Sequence, residues 1–198
     1  MYGVLNERFP RKSINENQND SGFRSMNQRV QVVIIGSGPA GLLLGQLLNN
    51  IGVETLILER QSQEYVLGRI RAGVLEQGTT ELLELAGCGE RMRAEGMVHS
   101  GFDLAFDGQR HRIDLQDMSG GKTVMVYGQT EVTKDLMNRR SETDGITIYE
   151  AQNVQPHDFD TDRSWVSYEK DRVEHRVDCD FIAGCDGFHG ISRASVPD

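Results

Sequence analysis

The stretch Val30-Gln-Val-Val-Ile-Ile-Gly-Ser-Gly-Pro-Ala-Gly41 decides the fold of this chain. It opens with a β-branched run typical of a strand buried on both faces and continues into the pattern G-x-G-x-x-G. The segment from Pro39 to Asn50 is rich in Leu, contains no β-branched residue and is followed by Gly52, which predicts a helix. Glu54 to Glu59 then predicts a second strand. Strand, glycine turn, helix and strand together indicate a βαβ unit with a parallel strand pair.

The glycines of this unit predict a diphosphate site. Gly36 permits a tight turn, Gly38 lets backbone N–H groups approach a diphosphate, and Gly41 lets the helix pack close to the sheet. The helix N-terminus carries about half a positive charge, so phosphate is bound without a basic surface. Glu59 ends the second strand about 20 residues later, where a carboxylate accepts hydrogen bonds from ribose hydroxyls and repels a 2′-phosphate. We therefore expect this first nucleotide site to hold FAD or NAD and not NADP.

Composition and charge exclude several classes of protein. The chain has 198 residues, 37% of them hydrophobic, which is enough to bury a core and excludes collagen-like and wholly disordered chains. Its 21 Lys and Arg against 30 Asp and Glu give a net charge of −9, which argues against binding to nucleic acid or to anionic membranes. The sequence contains no apolar run of about 18 residues and no signal-peptide pattern, so we expect a cytoplasmic protein.

Two further patterns in the sequence do not predict functional sites. Cys88, Cys179 and Cys185 are odd in number and form no Cys-x-x-Cys, which disfavours both a disulfide framework and a metal site. Gly120-Gly-Lys-Thr123 ends like a Walker loop, but the position that requires glycine holds Gln116, which disfavours a nucleoside triphosphatase.

The pattern along the chain predicts one main domain. Residues 1–26 are polar and lack a 2.0 or 3.6 period, which predicts a disordered N-terminal extension, with Met26 as an alternative start. Residues 27–198 are expected to form an α/β, Rossmann-like dinucleotide-binding domain with a parallel sheet. Within it, residues 97–128 predict inserted antiparallel strands.

Other elements are predicted from hydrophobic periodicity and turn signals. Helices are expected over residues 76–86 and over 130–143, the second beginning at Thr130. Strands 102–106, 110–115 and 124–127 are expected to be antiparallel and joined by short turns. A hairpin is expected to turn at Lys170-Asp171, followed by one more buried strand over residues 181–184.

The end of that last strand carries a second motif, Asp186-Gly187, followed by a small-residue turn into a helix. An isolated Asp-Gly is most often only a turn. Combined with the Gly36 to Gly41 loop, it resembles the flavoprotein aromatic hydroxylase family from about residue 30 onward. The strings that carry this resemblance are Leu58-Glu-Arg-Gln61, Tyr65-Val-Leu-Gly-Arg69-Ile-Arg71-Ala-Gly-Val-Leu-Glu-Gln77, Ser119-Gly-Gly-Lys-Thr123, Tyr127-Gly-Gln129-Thr-Glu-Val-Thr133 and Gly184-Cys-Asp-Gly-Phe-His-Gly-Ile-Ser-Arg193.

The resemblance implies a function and a set of site residues. It implies FAD held without a covalent bond, NADPH as reductant, and O2-dependent hydroxylation of 4-hydroxybenzoate to 3,4-dihydroxybenzoate in aromatic catabolism, with a homodimer as the assembly of the full-length form. Besides the glycine loop and Glu59, the FAD-binding residues implied are Arg69, Arg71, Gln129, Asp186 and Gly187. Those implied for NADPH are Arg60, Gln61, Tyr65, Arg69, His189 and Arg193. His99 is implied as the end of a proton relay to solvent, a task that suits an imidazole.

The same resemblance implies that residues 27–198 are the N-terminal part of an FAD-binding domain and that the strands of residues 97–128 contribute to an incomplete substrate domain. It also implies that the chain is the N-terminal portion of a longer protein, with the substrate-contacting residues beyond Asp198. Two alternatives stay open from the sequence: an NAD-dependent Rossmann dehydrogenase, and a non-catalytic FAD- or nucleotide-binding fragment.

Overall fold

A computed structural model describes residues 28–69 and 71–197, so the extension predicted over residues 1–26 lies outside the described residues. The strands are β1 Gln28–Ile35, β2 Thr55–Leu58, β3 Val74–Glu76, β4 Met97–His99, β5 Gly101–Phe106, β6 Gln109–Asp114, β7 Val124–Val126, β8 Ile146–Ile148, β9 Gln152–His157, β10 Trp165–Lys170 and β11 Val173–Gly184. The helices are α1 Pro39–Asn50, α2 Gln63–Gly68, α3 Gln77–Leu85, α4 Gly89–Glu95, α5 Leu115–Met118, α6 Gln129–Glu142 and α7 Ile191–Ala194. Within these described ranges, no helix is both long enough and apolar enough to cross a membrane.

The main sheet has six strands in the order β8-β2-β1-β11-β10-β9. The first four are parallel to one another, and β10 is antiparallel to both of its neighbours. Ile35 at the end of β1 pairs with Leu58 on one side and with Gly184 on the other. The glycine loop, Glu59 and Asp186 therefore all leave the same edge of the sheet, where ligands bind in open α/β sheets. The α/β, Rossmann-like fold class predicted from the sequence is confirmed.

Strand β11 combines two predicted strands into one. Its first part forms the expected hairpin with β10, in which Lys170 pairs with Val173, and its second part runs parallel to β1 from Val177 to Gly184. No glycine or proline interrupts residues 173–183, so nothing ends the strand between the two parts. The polar side chain of Asp178 is also satisfied, because Arg176 donates a hydrogen bond of 2.7 Å to it.

The predicted grouping of the antiparallel strands is wrong for β7. Strands β5 and β6 form a two-stranded sheet of their own, whereas β7 lies between β3 and β4 in a separate antiparallel sheet. The reason is helix α5, which follows β6 directly and redirects the chain. Its start is capped by Asp114, whose Oδ1 accepts a hydrogen bond of 3.0 Å from the Asp117 N–H.

Helix α6 begins one residue earlier than expected. Its N-cap is Gly128 and not Thr130, and no side chain caps this terminus. The apolar face of α6 packs with α1 against the sheet, and this burial supplies the main stabilisation of the layer. The core residues of this layer that are fully or almost fully buried are Ile34, Leu42, Ile57, Leu83, Met92 and Leu136.

A polar network ties β7 and α4 to α6. The buried Tyr127 hydroxyl donates a hydrogen bond of 2.7 Å to Asp135 Oδ2, and Arg91 Nη1 donates one of 2.5 Å to Asp135 Oδ1. Arg91 Nη2 also donates to Glu131. Burial, and next the hydrogen bond to Asp135, raise the pKa of Tyr127, so its hydroxyl stays protonated as a donor. Asp135 thus has a donor on each oxygen, as a nearly buried carboxylate requires.

We predict that Tyr127→Phe lowers the free energy of unfolding by about 1–2 kcal/mol, because Asp135 Oδ2 loses its donor inside the fold. Urea denaturation followed by circular dichroism measures the change. Tyr65→Phe, which removes a hydroxyl from a half-exposed ring, is the matched control and should leave the midpoint unchanged. Equal midpoints for the two variants would show that the network adds nothing to stability.

Candidate functional site

The glycine loop is packed directly against the end of β11. Gly36 has a φ of +103°, and a Cβ added there would lie 2.6 Å from the Cys185 carbonyl oxygen and 2.9 Å from the Asp186 Cα. A Cβ on Gly41 would overlap the Gly36 carbonyl oxygen. Only glycine fits at these two positions, because the backbones of the turn, the helix start and the Asp186 segment leave no room for a side chain.

Gly38 differs from the other two glycines because it faces open space. Its φ is −64°, which any residue can adopt, and no heavy atom lies within 4 Å of the position of a Cβ. Helix α1 starts directly after it with Pro39 at its first position and with no side-chain cap. The helix therefore presents backbone N–H groups to an unfilled space, which is the arrangement that binds a diphosphate. The residues present fit the diphosphate of FAD.

Glu59 is hydrogen-bonded to the glycine loop. Its Oε2 accepts hydrogen bonds from the Ser37 N–H at 2.9 Å and from the Ser37 hydroxyl at 3.2 Å, and its Oε1 accepts one from the Gln61 N–H at 2.8 Å. A carboxylate offers about four lone-pair sites, so Oε1 keeps capacity for a ribose hydroxyl. The contact with Ser37 was not predicted from the sequence. The feature of the sequence that indicates this contact is the hydroxyl residue between the first two glycines.

The chain after β8 holds Glu59 and the two residues that follow it. The Glu59 N–H donates to the Ile148 carbonyl at 2.9 Å, the Ala151 N–H donates to the Glu59 carbonyl at 2.8 Å, and the Glu150 N–H donates to the Gln61 carbonyl at 3.1 Å. Tyr149 lies within this turn. Burial, and next the negative charge of Glu59, raise the pKa of Tyr149, so its phenol stays neutral beside the carboxylate.

Asp186 closes its own turn onto helix α7. Asp186 Oδ2 accepts a hydrogen bond of 3.1 Å from the Ser192 N–H, and a Cβ on Gly190 would overlap the Asp186 carboxyl group. Gly187 between them has a φ of +80°. The carboxylate is therefore held in place next to the Gly36 turn, and its Oδ1 is left to accept a hydrogen bond from a ligand.

Gln129 joins the start of α6 to the segment that carries the candidate arginines. Its Nε2 donates a hydrogen bond of 3.2 Å to the Arg69 carbonyl, and its N–H donates one of 3.0 Å to the Ala72 carbonyl. Arg69 and Arg71 themselves are exposed. Their side chains are accessible to a ligand, and Gln129 holds the backbone carbonyl groups of Arg69 and Ala72 in place.

The remaining candidates lie on exposed parts of the described chain. Arg60 is exposed, and its carbonyl accepts a hydrogen bond of 2.6 Å from Gln152 Nε2. Tyr65 is on α2, where Ser62 Oγ caps its N–H. His189 is exposed, and Arg193 is stacked on Phe188 at 4.5 Å.

His99 is exposed on β4, opposite Val124 of β7. The structure thus brings together the glycine loop, Glu59 and Asp186, and separately Gln129 with Arg69. Within the described ranges His99 makes no side-chain hydrogen bond with any of these groups. Its assignment to a proton relay stays a prediction.

The cysteines belong to the core or to its margin. Cys88 and Cys179 are buried, and burial raises the pKa of each thiol to about 11. Cys185 is half-buried beside the glycine loop, and burial raises its pKa as well. Among residues 28–69 and 71–197, no group of three or more His, Cys, Asp or Glu side chains is arranged to hold a metal ion.

These features define a dinucleotide-binding α/β domain in which a glycine loop, a strand-end carboxylate and an Asp-Gly turn share one sheet edge. The family described as FAD binding domain matches residues 29–198, and the chain belongs to this family.

Relatives of known name that are similar to this chain include a hydroxylase and a monooxygenase. The p-hydroxybenzoate hydroxylase of Acinetobacter baylyi is 51% identical over 169 residues, which are 85% of this chain and 42% of the relative. The resemblance to flavoprotein aromatic hydroxylases stated from the sequence is thereby confirmed. A 12-dehydrotetracycline 5-monooxygenase/anhydrotetracycline 6-monooxygenase of Streptomyces rimosus is 28% identical over 80% of this chain and 31% of its own length. The chain therefore spans less than half the length of these relatives.

Solved structures show the same fold. The anhydrotetracycline hydroxylase OxyS from Streptomyces rimosus superposes with a TM-score of 0.69 at 26% identity, over 84% of this chain and 33% of that one. The p-nitrophenol 4-monooxygenase PnpA from Pseudomonas putida superposes with a TM-score of 0.71 at 18% identity, over 84% and 43% of the two chains.

We predict that Glu59→Gln lowers the free energy of unfolding by about 1–3 kcal/mol even when no nucleotide is present. Whichever way the new amide is oriented, its NH2 faces an N–H donor of Ser37 or of Gln61, so one hydrogen bond is lost. Urea denaturation of the FAD-free protein measures this. Glu54→Gln, at an exposed position before β2, is the control. Unchanged stability of Glu59→Gln would show that the carboxylate does not anchor the loop.

We also predict that Cys88 and Cys179 react with iodoacetamide at pH 8 at least about 100-fold more slowly in the folded protein than in urea. Burial and the raised pKa keep the thiols protonated, whereas an unfolded thiol has a pKa of about 8.5. Mass spectrometry of labelled peptides resolves each site. Rapid labelling of either cysteine in the folded protein would contradict its burial.

Proposed function

We propose that the chain supplies the FAD-binding function of a flavin-dependent aromatic monooxygenase that converts 4-hydroxybenzoate into 3,4-dihydroxybenzoate. The observation that carries this proposal is the open space at Gly38, in front of the uncapped start of α1 and beside Glu59. Membership of the FAD binding domain family and the 51% identity to a p-hydroxybenzoate hydroxylase support the cofactor and the reaction.

The proposed reaction consumes one O2 and one NADPH for each molecule of substrate. One oxygen atom of O2 is inserted into the ring C–H bond beside the phenol, and the other leaves as water. NADPH supplies two electrons as a hydride and becomes NADP⁺, and a proton from solvent completes the water molecule. FAD, when bound, supplies the oxygen-activating chemistry that amino-acid side chains lack. The residues of this chain bind and orient it. The α1 N-terminus takes the diphosphate, Glu59 Oε1 accepts from a ribose hydroxyl, and Asp186 Oδ1 accepts from the ribityl chain.

NADPH is the proposed reductant. Arg60 is exposed and unpaired among the described residues, so its guanidinium can bind a 2′-phosphate with two parallel hydrogen bonds. Gln61, Tyr65, Arg69, His189 and Arg193 are proposed as further contacts along the same nucleotide, and all except half-buried Gln61 are exposed. His99 is proposed to pass the phenolic proton of the substrate to solvent, which its exposure permits. A cytoplasmic setting and a homodimer complete the proposal.

We predict that Gly38→Ala weakens FAD binding at least about tenfold while leaving the unfolding midpoint unchanged. The added methyl group meets no protein atom, but it projects into the space where the diphosphate has to approach the helix N–H groups. Fluorescence quenching of FAD measures the dissociation constant. Gly78→Ala, which also adds a methyl group in open space, is the matched control. Equal FAD affinities of the two variants would contradict the proposed diphosphate position.

The reaction is tested by mixing the FAD-loaded protein with NADPH, O2 and 4-hydroxybenzoate. The expected result is NADPH oxidation that rises with the aromatic substrate and yields 3,4-dihydroxybenzoate in equal amount. Retention of FAD after gel filtration without any such product would assign this chain the non-catalytic FAD-binding role. Absence of product also from a form extended to the length of the relatives would overturn the proposed reaction. Oxidation of an alcohol substrate with NAD⁺, in the absence of FAD, would favour the NAD-dependent dehydrogenase.

A further inference from the structure

Arg140 is a buried positive charge without a partner of opposite charge. It lies in the last turn of α6 and is 2% exposed, and it forms no ion pair among the described residues. Burial lowers the pKa of its guanidinium to about 10, which keeps it protonated at neutral pH. Such a charge is costly to bury, so its retention in the core calls for an explanation.

The hydrogen bonds of Arg140 orient the guanidinium without neutralising it. Nε donates to Thr147 Oγ1 at 3.0 Å, and Nη2 donates to the Ile146 carbonyl at 2.7 Å and to the Thr55 carbonyl at 3.2 Å and hydroxyl at 3.1 Å. All of these acceptors are uncharged. Nη1 has no hydrogen-bond partner among the described residues, although it is buried.

Nη1 is aimed at helix α1. A Cβ placed on Gly45 would lie 2.9 Å from Nη1, 3.0 Å from Ile57 Cδ1 and 3.3 Å from Ile34 Cδ1. A Cβ at Gly45 would crowd the guanidinium and two isoleucine side chains of the sheet, so the guanidinium lies directly below helix α1. Gly45 follows Gly38 by two helical turns, which at a rise of about 1.5 Å per residue puts Arg140 about 10 Å from the N-terminus of α1. The side chains next to the guanidinium at this point are apolar, so its charge is weakly screened.

We propose that Arg140 is a positioning residue whose buried charge, under helix α1, adds to the attraction between the helix N-terminus and the FAD diphosphate. This inference rests on the proposed FAD site. The protein as a whole carries a net charge of −9, and the loop Gly36 to Gly41 contains no basic residue. The net negative charge of the protein repels a diphosphate, and a buried cation near the helix offsets this repulsion at a fixed position. At about 10 Å and an effective dielectric constant of about 20, a pair of unit charges changes a binding constant on the order of tenfold.

The test compares a charged and a neutral probe of the same half of the site, ADP and adenosine, by calorimetry. Arg140→Met is expected to weaken ADP binding about tenfold and to leave adenosine binding unchanged, while Arg140→Lys, which keeps the charge, restores most of the ADP affinity. Lys134→Met removes an exposed charge from the same helix and is the control. Equal weakening of both probes, or unchanged ADP affinity, would assign Arg140 a purely structural role and overturn the proposal.

The unmodified protein provides a second measurement that does not depend on the folding of a variant. The Nε–H of Arg140 is hydrogen-bonded and buried, so its exchange with water is measurable by nuclear magnetic resonance. Because binding and protonation are linked, ADP should slow this exchange and adenosine should not. An identical response to both probes would overturn the proposal. Absence of FAD and ADP binding to the unmodified protein would instead overturn the proposed function itself, so the two failures are distinguishable.

Discussion

The approach of the Gly36 turn to the end of β11 is the constraint on which the rest of the site depends. Two backbones meet there with no side chain between them, since a Cβ on Gly36 would be 2.6 Å from the Cys185 carbonyl oxygen. This contact fixes the start of α1 relative to Asp186, and the pairing of β1 with β2 then brings Glu59 to the same edge. In the proposed FAD site, a diphosphate, a ribose and a ribityl chain are held at once because these three strand ends are in register.

In the proposed site, Glu59 serves both the protein and the ligand. Its Oε2 is used for Ser37, whereas its Oε1 holds Gln61 and still has a free lone pair. The loop is consequently organised before any nucleotide arrives, and binding does not have to order it. The acidic character of the chain does not oppose this, because the positive potential comes from the helix terminus and from buried Arg140, both fixed by the fold.

The local signals in the sequence predicted the part of the fold that carries the nucleotide. The β-branched run at Val30, the glycines at 36, 38 and 41 and the carboxylate at 59 have mechanical reasons for their positions, and helix α1 has the predicted bounds. Long-range pairing was not predictable in the same way. The residues of Val124–Val126 do not by themselves predict that this strand lies between β3 and β4. Ser37 alone does not predict that its hydroxyl donates a hydrogen bond to Glu59, directly after the next strand. Those contacts depend on register between distant segments, which periodicity does not encode.

The long separation between the two strands that build the site has a consequence for biosynthesis. Gln28 pairs with Val177, and Ile35 pairs with Gly184, so β1 gains its second neighbour in the sheet only after residues 177–184 have been synthesised. During synthesis from the N-terminus, one edge of β1 stays unpaired until more than a hundred further residues have been added. Pairing between strands so distant in sequence forms slowly. Until it forms, the Gly36 turn has no packing contact with Cys185 and Asp186. Nucleotide binding at the proposed site is thus coupled to the pairing of β1 with β11, and a ribosome-bound chain that ends before β11 has no complete site.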